Sequence, residues 1–192
     1  SREKRKLKAG AKNLRKNFMI GTETIAPGQT KIVNLPIASF NNHMPTNMPV
    51  KVIHGRKEGP TVFISAAVHG DEVIGVEIIR RLLNSKSLKF LRGTLLCIPI
   101  VNTLGFVAGE RYLPDRRDLN RSFPGSSSGS LASQLAYLFR KEILERSDFG
   151  IDLHSAALHR VNFPQIRYSP GNQNVYQDAL AFGAPLILEA PI

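Results

Sequence analysis

Strand and helix periods alternate along the chain. From Phe18 to about Ile53, short apolar stretches are broken by turns, with in-out alternation over Thr30–Ile37 and a Pro/Asn-rich loop expected over Asn41–Pro49. A turn at Gly59-Pro60 then delivers Thr61–Val68, whose β-branched content and flanking turn signals favour a buried strand over a helix. Val73, Val76, Ile79, Leu82 and Leu83 recur at helical spacing, which predicts a helix from near Glu72 to about Asn84. Gly93–Ile100 reads as a second buried strand, and Leu131–Ile143 as a second amphipathic helix entered from the Ser126–Ser130 loop. Phe149–Leu153 reads as a third strand; a helix near Val175–Phe182 and a strand at Pro185–Leu188 complete the order. This alternation predicts an α/β fold, a mostly parallel or mixed sheet flanked by helices on both faces, after a short N-terminal β lead-in.

No internal repeat interrupts that order. The expected division is a basic tail (1–17), a β lead-in (18–55) and one α/β domain (56–192). The last strand runs almost to Ile192 with no closing helix behind it, so this domain is expected to be truncated at its C-terminus.

Composition narrows the picture. With 192 residues, 42% hydrophobic and 21% charged, the chain suits a globular domain with a sizeable core. No apolar stretch approaches the roughly 20 residues that span a bilayer, so no membrane role is expected. Cys97, the single cysteine, lies in the apolar run Leu95–Ile98, which excludes an internal disulfide and a thiolate metal cluster and points to a reducing, cytoplasmic setting. The net charge of +11 is unevenly spread, since residues 1–17 hold eight Lys or Arg against one Glu. A solvated basic arm is the expectation, rather than a nucleic-acid face, and the arm lacks the apolar core of a secretory signal. An oligomer is left open.

In open α/β sheets ligands gather outside the carboxyl ends of the strands, where His69, Glu72, Asp152 and His154 all fall. His69 and Glu72 stand three apart across a strand-to-helix turn, so an imidazole and a carboxylate can share one centre, and His154 can close the set. Two His and one Glu, with a fourth position for water, make the ligand set of a catalytic zinc site. His-x-x-Glu alone is a weak signal; the third member strengthens it. Strand alternation puts Asp152 and His154 on one face, so Asp152 is read either as an acceptor for the His154 ring or as a local backbone cap. Between these halves, Gly109–Gly125 carries four arginines within eleven residues. Guanidinium forks bind carboxylates through paired hydrogen bonds, so Arg111, Asn120 and Arg121 suit an acidic substrate, while Arg116 and Arg117 are read as paired to Asp115 and Asp118. His43 and His54 are read as surface or structural, and His159, Arg160 and Arg167 as residues close enough in sequence to line the pocket.

The pieces His69-Gly70-Asp71-Glu72, Arg111-Tyr112, Asp118-Leu119-Asn120-Arg121-Ser122-Phe123-Pro124-Gly125 and Asp152-Leu153-His154 together resemble the succinylglutamate desuccinylase/aspartoacylase family of the zinc carboxypeptidase superfamily. The resemblance implies a zinc carboxypeptidase-like fold and one Zn²⁺ per chain held by His69, Glu72 and His154. It further implies that Arg111 polarises the scissile carbonyl, that Asn120 and Arg121 hold the substrate carboxylate, and that the reaction cleaves the amide of an N-acyl amino acid. The family's general base is a glutamate in a later strand and is not identifiable here. Glu189, the only acid after Asp178, comes too soon and lacks the surrounding pattern. A metallocarboxypeptidase would use the same zinc set and arginine clamp, and a non-catalytic metal-binding or interaction module is the reading from another class.

Overall fold

The computed structural model describes residues 15–39, 45–156, 160–171 and 173–190. The chain divides between His154 and Ser155 into two compact units. The first opens with a hairpin of β1 (Phe18–Ile20) and β2 (Glu23–Ile25). A five-stranded sheet follows, built from β3 (Thr30–Ser39), β4 (Pro45–His54), β5 (Lys57–Ala66), β6 (Arg92–Ile98) and β7 (Phe149–Leu153) in the order β3-β4-β6-β5-β7.

β5 pairs in parallel with β6 and β7, whereas β3, β4 and β6 pair antiparallel. The sheet is therefore mixed, and strands from the expected lead-in supply its antiparallel half. Residues alternate strictly across β6: Leu96 and Ile98 face one core, Leu95 and Cys97 the other. On the Leu95 face, α1 (Ile74–Leu83) buries Ile79 over Ile64 and Ala66. On the Leu96 face, α3 (Leu131–Glu142) packs Leu135, Ala136 and Phe139 against Val50 and Val52. Ser130 starts α3 by accepting the backbone N–H of Ser133 with its hydroxyl. A short helix, α2 (Thr103–Ala108), was not expected from the periodicity, being too brief to show one.

Two expected breaks are strand instead. Gly59-Pro60 lies inside β5, where the register against β6 shifts between Lys57 and Thr61. The shift absorbs the proline, and Gly93 opposite has φ +81 with no room for a Cβ, which would fall 2.0 Å from the Pro60 carbonyl oxygen. Pro45–Pro49, expected as loop, opens β4. Those residues pair only with β3, because β4 meets β6 only over Lys51–His54, so their prolines interrupt no central ladder. Asn41–His43 lie outside the described residues.

The second unit pairs β8 (Ile166–Tyr168) in parallel with β9 (Ile187–Glu189), joined through α4 (Gln173–Phe182). Among the described residues no helix is long and apolar enough to cross a membrane.

Candidate metal centre

The chain leaves β5 through Ala67, whose φ of 51° is left-handed and turns the backbone sharply before His69. The turn is pinned on both sides: Val101 N–H donates to the Ala66 carbonyl at 3.0 Å and Asn102 N–H to the Ala67 carbonyl at 2.9 Å. Gly70 follows where only hydrogen fits, since a Cβ would come 2.1 Å from the Gly105 carbonyl carbon. Glu72 N–H closes the turn on the His69 carbonyl at 3.1 Å, and α1 starts two residues later, at Ile74 rather than near Glu72. Gly75 lets that first turn sit on Ala66 and Leu153, the last residues of β5 and β7. His69 and Glu72 are thereby buried, 3% and 4% exposed, at the carboxyl end of the parallel strands.

β7 brings His154 to the same place. His69 Nδ1 lies 2.9 Å from Glu72 Oε1, and His154 Nδ1 lies 2.9 Å from Glu72 Oε2. One donor atom from each of the three residues falls within 4.8 Å of the others. The remaining ring nitrogens face carboxylates: His69 Nε2 meets Asp118 Oδ1 at 3.1 Å and His154 Nε2 meets Asp152 Oδ2 at 2.7 Å. Burial opposes charge on His154, but the hydrogen bonds to Asp152 and Glu72 outweigh it and push its pKa up to about 10.

Arg111 donates to Glu72 Oε1 at 3.0 Å and approaches Asp118 Oδ2 at 3.8 Å. Among the described residues, Glu72, Asp118 and Asp152 put three carboxylates against the Arg111 guanidinium and the protonated His154 ring. A divalent cation bound by the two imidazoles would displace that proton and supply the positive charge in its place. Two imidazoles and one carboxylate fit a hard-to-borderline metal ion, with the outer carboxylates orienting the rings.

Asp118 departs from its expected role. It bonds His69 and Arg111, while among the described residues Arg116 and Arg117 make no ion pair. Asp115 also refuses the expected pairing, accepting the Arg117 and Ala132 backbone N–H groups instead. Unmet backbone donors at the loop and at the start of α3 outcompete exposed arginines. Asn120 and Arg121 occupy the 3-10 turn Leu119–Arg121 that follows Asp118, with Arg121 exposed; their side chains make no hydrogen bond among the described residues. Ser65, which sequence reasoning passed over as one residue of an apolar strand, donates to Asp152 Oδ1 at 2.7 Å.

His159 lies outside the described residues. Arg160 and Arg167 are exposed members of the second unit, where Glu189 accepts the Tyr168 hydroxyl at 2.9 Å. At the other end of the sheet, His54 is buried and structural. Its Nδ1 lies 2.8 Å from Thr94 Oγ1 and its Nε2 2.9 Å from the Lys16 carbonyl. Nor is the whole basic tail a solvated arm. The Arg15 guanidinium donates to the Gly55 and Gly93 carbonyls and to Thr94 Oγ1 at 2.6–2.8 Å.

The model of the succinylglutamate desuccinylase/aspartoacylase catalytic domain matches residues 58–192. The chain belongs to this family. A curated relative, the N-alpha-acetyl-L-2,4-diaminobutyric acid deacetylase of Halomonas elongata, is 32% identical over 164 residues, covering 82% of this chain and 48% of its own length. The succinylglutamate desuccinylase of Burkholderia cenocepacia is 33% identical over 108 residues, or 50% of this chain and 30% of that one. Among solved structures, the aspartoacylase family protein of Mesorhizobium loti superposes with a TM-score of 0.78 at 27% identity, over 91% of this chain and 57% of its own. The product-bound ectoine utilization protein of Ruegeria pomeroyi gives 0.75 at 29% identity, over 94% and 57%. The chain thus spans about half the length of the deacetylase and of these structures, and the family member described here has the mixed sheet and helical layers of its relatives.

Proposed function

We propose that this family member is a zinc-dependent deacylase that hydrolyses the amide bond of an N-acyl amino acid. The convergence of His69, Glu72 and His154 donors within 4.8 Å of one another supports the reading most directly. These three residues would hold one Zn²⁺ per chain. When bound, zinc supplies a Lewis acid and lowers the pKa of water toward about 7.

The chain's own residues supply the rest. Arg111, 3.0 Å from Glu72, stands beside the donor set and offers its guanidinium to the negative charge that develops on the carbonyl oxygen. Asn120 and Arg121, on the turn that Asp118 anchors, offer an amide and an exposed guanidinium fork to the carboxylate of the amino acid. Asp118 and Asp152 hold the two imidazole rings in orientation. No residue of this chain is assigned as the general base. The relatives' names favour small acylated amino acids, N-acetyl or N-succinyl, as substrates. The cytoplasmic setting suggested by the lone Cys97 belongs to the same reading.

The test is metal content by mass spectrometry on protein purified without chelator, wild type against the His69→Ala, His154→Ala double variant, followed by hydrolysis of N-acetyl and N-succinyl amino acids and of short peptides. About one zinc per chain, lost in the variant, with cleavage of acylated amino acids, is the expected result. Absence of metal from the wild type, or cleavage confined to peptides, overturns the proposal.

A further inference from the structure

A hydroxyl is out of place in the buried carboxyl-terminal half of β5. The strand reads Val62-Phe63-Ile64-Ser65-Ala66, and Ser65 is 0% exposed, paired on one side with Ile98 and on the other with Asp152. Burying a hydroxyl is unfavourable unless it is bonded, and the bond made here is to Asp152 Oδ1 at 2.7 Å. Asp152 stands on β7, the outer strand among the described residues, and its side chain and that of His154 just beyond the strand are each about one-third exposed. A half-solvated carboxylate is free to swing into water, and the buried hydroxyl fixes its plane. Since Ser65 takes Oδ1, Oδ2 is left for His154 Nε2 at 2.7 Å, and the opposite ring nitrogen, Nδ1, is turned toward Glu72. Gly150, two residues back on the same face of β7, leaves space for the Phe63 ring, whose Cε1 would be 1.9 Å from a Cβ there, so β7 lies close against β5 and the hydroxyl reaches its partner.

We infer that Ser65 is a positioning residue for the metal centre, acting through Asp152 to set the orientation and tautomer of His154. The inference rests on the zinc reading of His69, Glu72 and His154. It assigns a function to a serine three strand-and-turn residues removed from the ligand motif, which touches neither metal nor substrate. Loss of a group bonded directly to a ligand, as Asp152 is to His154, weakens metal binding by roughly 10–100-fold, and Ser65 acts through that group.

The test measures zinc affinity by competition with a chromogenic chelator for wild type, Ser65→Ala, Ser65→Thr, Asp152→Asn and the Ser65→Ala, Asp152→Asn double variant, with the metal-free unfolding midpoint recorded for each. Asp152→Asn is expected to weaken zinc by about 10-fold or more, Ser65→Ala to weaken it several-fold and no more than Asp152→Asn does, Ser65→Thr to keep near-wild-type affinity through its hydroxyl, and the double variant to bind no more weakly than Asp152→Asn alone. Wild-type affinity in Ser65→Ala, or an equal further loss when Ser65→Ala is added to Asp152→Asn, overturns the relay while leaving the zinc site standing. Should Ser65→Ala fail to fold, affinity in Ser65→Thr as weak as in Asp152→Asn overturns it. A wild type that holds no zinc overturns the deacylase reading itself, and the relay with it.

Discussion

The rings of His69 and His154 stand 5.1 Å apart, centroid to centroid, at the ends of two neighbouring parallel strands. Glu72 bridges them with one carboxylate oxygen to each ring. A ligand that binds this folded cluster and not the unfolded chain stabilises the fold by mass action, about 2.7 kcal/mol at a hundredfold excess over Kd. Zinc is therefore expected to raise the unfolding midpoint of wild type and a chelator to lower it again. Glu72→Gln removes the bridging charge and should abolish the zinc-dependent shift. Calorimetry with and without zinc checks this, and an undiminished shift in Glu72→Gln would place the metal elsewhere.

Gly70→Ala tests the turn that carries the cluster. Its Cβ would lie 2.1 Å from the Gly105 carbonyl carbon and 2.3 Å from Phe106 N, both backbone atoms in the middle of α2. Neither can move aside as a flexible side chain would. Overpacking of this kind costs about 1–3 kcal/mol. Urea unfolding of the metal-free protein should show that loss, with weaker zinc binding beside it. Gly109→Ala is the contrast: no atom lies within 4 Å of its Cβ, so its cost comes from its φ of +67 alone.

Much of this arrangement is legible in the sequence because burial writes a simple pattern there. Phe149–Leu153 is bounded as read, and the two apolar faces of Leu95–Ile98 foretell helices on both sides of the sheet. His69, Glu72 and His154 stand at strand ends, where a chemical set can be noticed. What stays hidden depends on distant partners. Asp118 looks like a mate for neighbouring arginines until the fold sets His69 Nε2 at 3.1 Å from it. Gly59-Pro60 looks like a turn until Gly93 appears opposite to accept the irregularity. Arg15 looks like one more charge in a basic arm, yet its guanidinium satisfies two carbonyls and a hydroxyl at the sheet's end.

Cys97 offers a probe of the core that leaves the site untouched. It is fully buried on β6, on the face that α1 covers, and burial pushes its thiol up to about 12 against the opposing effect of Lys51. At pH 8 only about 10⁻⁴ of such a thiol is ionised, and the thiolate is the reactive form. The native protein should resist a thiol reagent for as long as it stays folded, then react fully in denaturant. Rapid native labelling would show that the α1 face opens readily.

His54 gives the acid limb of stability a named source. Burial of the ring holds its pKa below the ordinary 6.5, against the Lys16 carbonyl hydrogen bond and Glu58, which favour the charged form, and with Arg15, which repels it. Thr94 and the Phe18 ring complete its surroundings. Above 6.5 the ring is neutral in both folded and unfolded chains, and its contribution to stability is whole. As pH falls below 6.5, the unfolded chain takes up a proton that folded His54 refuses, so stability drains away until the depressed folded pKa is passed. His54→Gln keeps a polar side chain without the titration. The difference in urea midpoint between wild type and His54→Gln should therefore shrink or reverse from pH 7.5 to pH 5, and a difference that stays constant over that range would remove His54 from the acid response.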